Sequence, residues 1–116
     1  MVPKRIPTPA TPKGQDVHLV EVFLPIVGAE GAIPASEFTR VVDLLTSRFG
    51  GATIFSRSPG EGSWRSSGRT EHDTVVVVEA MVDELDFAWW ASLRQDLEAR
   101  FHQDVVLIRA YRTCVL

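Results

Sequence analysis

Two glutamates and one arginine carry the residue types and spacing in this 116-residue sequence that could support chemistry. Glu21 lies in the apolar run 17–24 (VHLVEVFL), Glu79 follows the valines 75–78, and Arg109 interrupts the run 105–111 (VVLIRAY). Each is a lone charge in a β-branched stretch, so each belongs to a strand and not to a solvated loop. Two carboxylates and a guanidinium in an apolar setting are the ingredients of a general acid or base. The same charges can instead form a paired network that fixes the register of an association and adds little net stability. Both readings stand at the level of sequence.

Two aromatic residues extend the set. Trp64 is the single aromatic of a loop, 58–68, that holds Pro59, Gly60, Gly62 and Gly68; it is either a lid over a small-molecule site or a plug folded back on the open end of a sheet. Tyr111 shares the alternation of Arg109. The candidate ligand-binding residues are therefore Glu21, Glu79, Arg109, Tyr111 and Trp64. Glu71, His72 and Asp73 form a titratable cluster after the Trp64 loop, without metal-ligand spacing or a Ser-His-Asp context. No metal or cofactor is expected. His18 and His102 are isolated, Trp89 and Trp90 read as core packing, and Cys114 has neither a second cysteine to pair with nor a basic cluster to activate it.

The elements that must position these residues follow from periodicity. A first strand covers Val17 to Leu24 and stops at Pro25. Pro34, Ala35 and Ser36 open a helix, with Ser36 as N-cap, whose apolar face is Phe38, Val41, Val42, Leu45 and Phe49 and whose stop is Gly50. Ala52 to Arg57 is a short strand. His72 to Val82 is a long one whose consecutive valines suit a central position. Phe87, Trp90, Leu93, Leu97 and Phe101 mark a second helix, and a last strand begins at Gln103 with Val105 to Tyr111 as its body.

The order β-α-β-β-α-β predicts an α+β, ferredoxin-like sandwich: an antiparallel sheet in the order 4-1-3-2 with both helices on one face. It occupies residues 17–116 as a single domain. Residues 1–16, with Pro3, Pro7, Pro9 and Pro12, read as a flexible Pro-rich tail.

Alternation assigns Val20, Val22, Leu24, Ile54, Val76, Val78, Ala80, Val106, Ile108 and Ala110 to the helix-covered face. The other face carries Val17, Leu19, Glu21, Phe23, Thr53, Phe55, Arg57, Val75, Val77, Glu79, Met81, Val105, Leu107, Arg109 and Tyr111. Glu21 then lies close to Arg109, with Glu79 as a diagonal neighbour about 7–8 Å from Glu21. So large an apolar face predicts a partner, in the simplest case a two-fold homodimer burying on the order of 1,200–2,000 Å².

Net charge −3 and a pI near 5.5 argue against a nucleic-acid partner. The lack of an 18-residue apolar run or a signal-type leader predicts no membrane segment and a soluble cytoplasmic protein. Two functions stay open. One is a dimeric protein that binds or acts on a small molecule at an apolar pocket with the Glu/Arg cluster. The other is a non-enzymatic interaction or regulatory module that associates through its sheet face. Whether the protein is an enzyme is left undecided by the sequence.

Leu24-Pro25, Arg48-Phe49-Gly50-Gly51-Ala52-Thr53, Gly62-Ser63-Trp64 and Glu71 together resemble a bacterial family of small uncharacterised ferredoxin-like proteins over roughly 17–111. The resemblance implies the fold, of the dimeric α+β barrel type, and no activity. Ala52 stands where that family usually has an aliphatic residue, a smaller side chain at a packing position.

Overall fold

The computed structural model describes residues 14–57, 65–66, 69–70 and 74–116. Four strands make the main sheet: β1 (Gln15–Pro25), β2 (Thr53–Arg57), β3 (Val75–Val82) and β4 (Ile108–Val115). Their order is β2-β3-β1-β4 with every neighbour antiparallel. This is the 4-1-3-2 sheet expected of the ferredoxin-like class. Helices α1 (Ala35–Phe49) and α2 (Phe87–Arg100) cover one face. Two short ribbons, Val27–Gly28 with Gly31–Ala32 and Arg65–Ser66 with Arg69–Thr70, complete the described elements.

The core lies between helices and sheet. Val20, Val22 and Leu24 from β1 and Val76, Val78, Ala80 and Val82 from β3 meet Val41 and Leu45 of α1 and Trp90, Leu93 and Leu97 of α2. Phe101 and Val106, beyond α2, close one end. Phe49 stacks on Trp90 at 5.4 Å and meets Trp89 edge-on, so the end of α1 is pinned to the start of α2 by aromatic faces. Ion pairs Arg40–Asp96 and Arg100–Glu37, each at 3.1 Å, tie the outer surfaces of the two helices.

Several local expectations need correction. Ser36 is not the N-cap of α1: the helix starts after Pro34, whose extended backbone makes no side-chain cap, and Glu37 N–H reaches the Pro34 carbonyl. Gly50 does end the helix, at φ 90°, a left-handed conformation that glycine adopts without a side-chain penalty. Asp86 caps α2 by accepting from the Trp89 N–H at 3.1 Å. Gln15 and Asp16, which composition assigns to the tail, are the first residues of β1 and pair with Val115 and Cys114; residues 1–13 lie outside the described residues.

The last strand begins at Ile108 and not at Gln103. Val106 N–H donates to the Glu98 carboxylate at 3.0 Å, which holds this residue against α2, and the stretch rejoins β1 at Leu107, whose carbonyl accepts from the Phe23 N–H. Ile54 and Ala110, expected under the helices, are exposed. They sit on the two edge strands, whereas the covered core is drawn from β1, β3 and Val106.

Candidate functional site

The charged cluster forms on the face of the sheet away from the helices. Glu21 pairs in register with Arg109 on one side and with Glu79 on the other, and Glu79 pairs with Thr53. One row across the sheet therefore reads Thr53, Glu79, Glu21, Arg109. Glu79 is directly opposite Glu21 and not diagonal to it as the sequence suggests, which brings the two backbones to about 4.5–5.5 Å in place of 7–8 Å.

Like charges directly opposite each other on adjacent strands are unfavourable. The structure relieves this from one side: Arg109 Nε donates to Glu21 Oε1 at 2.8 Å, and the guanidinium lies 4.8 Å from the Phe23 ring centroid. Glu21 is 3% exposed, so its charge is held by protein groups and not by water. Glu79, half-buried, makes no hydrogen bond or ion pair with the described residues. Of the two adjacent carboxylates, Arg109 pairs with Glu21.

Glu79 faces a cleft. Where the α1–β2 turn meets the open face, Leu19, Phe49, Gly50, Gly51, Ala52, Thr53, Glu79, Ala80 and Met81 line an open space of about 460 Å³. Leu19 and Met81 give it an apolar wall, while Thr53 and Glu79 give it a hydroxyl and a carboxylate. The turn is open: a β-carbon at Gly50 or Gly51 would meet nothing within 4 Å. This turn and Thr53 are absent from the residues singled out as a site by sequence. The signal available for them was the small-residue run Gly50-Gly51-Ala52-Thr53 between a helix end and an edge strand.

Tyr111 lies in the neighbouring row, opposite Leu19, which is itself opposite Met81. It is 48% exposed and stands two strands from the cleft wall at Met81. Trp64, Glu71, His72 and Asp73 lie outside the described residues. Among the described residues there is no group of three or more His, Cys, Asp or Glu side chains placed to hold a metal, and no helix is long and apolar enough to cross a membrane. His102 sits 2.9 Å from Glu30 on the ribbon after β1, and His18 contacts the Asp83 carbonyl, so neither belongs to the cluster.

No family model matches the sequence, and no curated protein matches it. The resemblance to a bacterial family through residues 48–53 and 62–64 therefore stands at the level of a related α+β fold. Among solved structures, the chain is similar to a phage SAM lyase in complex with S-methyl-5'-thioadenosine. The TM-score is 0.54 at 14% identity, over 91% of this chain and 95% of that one. At this identity the likeness concerns the fold.

Proposed function

We propose that this protein binds a small molecule in the cleft beside the Gly50–Gly51 turn, with Glu79 as the polar anchor. The observation that carries the reading is a half-buried carboxylate without a described partner, set at the wall of a space of about 460 Å³. That volume falls in the range of roughly 300–1,000 Å³ typical of ligand sites. A carboxylate beside apolar side chains suits a ligand that joins hydrogen-bond donors to an apolar body. A nucleoside thioether has that makeup: vicinal ribose hydroxyls donate to a carboxylate, as they do in dinucleotide sites, and the thioether arm packs on Leu19 and Met81. The ligand named for the phage SAM lyase, S-methyl-5'-thioadenosine, belongs to this class.

Calorimetric titration with S-methyl-5'-thioadenosine tests the reading. Saturable binding, one molecule per chain, is expected, with affinity reduced at least tenfold in Glu79→Gln and unchanged in Glu30→Gln, in the turn of the ribbon beyond the other end of β1. Absence of saturable heat with both S-methyl-5'-thioadenosine and adenosine ends this reading. A second reading, an interaction or regulatory module without a ligand, is favoured by the exposure of Met81, Leu107 and Tyr111 on the same face. That reading predicts association with no ligand heat.

A further inference from the structure

The open face is patterned as well as apolar. On β3, β1 and β4 the in-register rows read Met81, Leu19, Tyr111, then Glu79, Glu21, Arg109. Below them Val77 pairs with Phe23, whose N–H donates to the Leu107 carbonyl at 3.0 Å. The flanks of the middle row carry opposite charges: Glu79 has no described partner, and Arg109 uses Nε on Glu21 while its side chain stays 52% exposed. A guanidinium has further N–H donors directed away from Nε. Within one chain Arg109 and Glu79 are separated by Glu21 and by the β1 strand.

We infer that this face is closed by a second copy of the same chain, about a two-fold axis that runs along β1. Two sheets packed face to face can be related by an axis lying between them, either along the strands or across them. An axis along β1 lays β4 of each copy over β3 of the other. It sets Glu79 against the partner's Arg109, Met81 against the partner's Tyr111, and Leu19 against the partner's Leu19. An axis across the strands through the same row stacks Glu79 on the partner's Glu79 and Arg109 on the partner's Arg109. Charge complementarity selects the first arrangement. The two buried Glu21 residues near the axis each bring their own arginine.

The area is sufficient. Three overlapping strands of eight or so residues span about 14 by 26 Å. Corrugated by side chains and counted on both copies, this gives on the order of 1,000 Å², the lower bound for a specific interface. The short edge strand β2 overhangs the overlap, so the cleft keeps an opening at Thr53. The partner's Tyr111 and Arg109 would stand over its Met81 and Glu79 walls. The ligand site would then be shared between copies; that consequence rests on the binding reading, whereas the interface itself does not.

Light scattering during size exclusion, with the full chain over a hundredfold concentration range, measures the stoichiometry. A mass twice 12.9 kDa is expected. The axis is tested by cross-linking in a Cys114→Ser background, because Cys114 is exposed. Chains carrying Met81→Cys alone or Tyr111→Cys alone are treated with a short bismaleimide, separately and after mixing. A cross-linked dimer that forms in the mixture and in neither pure sample supports the axis along β1. Efficient cross-linking within either pure sample, or none in the mixture, overturns it. A monomer at every concentration, or a trimer, overturns the two-fold interface itself. Glu79→Lys is expected to weaken the dimer at least tenfold and Glu84→Lys to leave it unchanged. Equal effects of the two would remove the charge argument.

Discussion

The two faces of one sheet are built from nearly the same residue types and behave differently. Toward the helices, Val22 and Val78 are completely buried, and the side chains around them come from both helices. On the other face Val77 is equally buried, between Phe23 and Phe55 in register, and Glu21 is almost so. Around that small buried centre, Met81, Leu107 and Tyr111 remain about half exposed. The difference shows that apolar composition alone does not decide where a core forms. The helix-covered face owes its burial to layers, whereas among the described residues the centre of the open face is flanked by side chains on neighbouring strands.

Substitutions of matched type separate these contributions. The largest effect is expected for Val78→Asp, which places an unpaired charge under the helices; the cooperative urea transition should disappear or shift by more than about 4 kcal/mol. Met81→Asp on the same strand but the other face should retain a cooperative transition. If both collapse alike, the open face is as much a core as the covered one.

Arg109→Ala strips Glu21 of its guanidinium and Phe23 of its cation. Because Arg109 is half exposed and Glu21 keeps further interactions, a loss of about 2 kcal/mol in chemical denaturation is expected. Double substitution with Glu21→Gln should recover part of that loss. Asp86→Ala removes the cap of α2 and should cost about 1 kcal/mol, with the helix-covered face loosened and the open face unaffected by hydrogen exchange. The smallest effect belongs to Trp90→Phe. Its indole N–H is buried and makes no hydrogen bond with the described residues, so the lost area is offset by removal of an unsatisfied donor, and a change below about 1 kcal/mol is expected.

Much of this arrangement was legible in the residues. The valines 75–78 and their alternation mark the central strand, Gly50 marks a helix end, and lone charges in apolar strands mark the cluster. The Glu21–Arg109 contact follows from alternation and from the most natural pairing of two strands. The sequence places Glu79 two residues out of register because that register is not fixed by a tight turn: β3 reaches β1 across α1, β2 and a long connection. Ser36 misled because a cap preference is a local tendency, and the backbone at Pro34 already starts the helix. The start of β4 is not legible because Val105 and Val106 have strand composition, while the backbone of Val106 is taken by a carboxylate of α2, Glu98. The cleft is not legible because its walls come from three separate segments, Leu19, 49–53 and 79–81, that only the fold brings together.

The placement of β1 has a consequence for synthesis. It is made before the other strands of the sheet, yet it occupies the interior, with one edge completed by residues 75–82 and the other by residues 108–115. While a nascent chain emerges, the strand can acquire its β3 partner midway but must wait for β4 with a bare row of amides and carbonyls. Closing that last ladder joins segments about ninety residues apart, the kind of distant pairing that slows folding. Truncation before residue 108 should therefore yield a species that recruits another strand, from whatever chain is nearest, to the vacant edge.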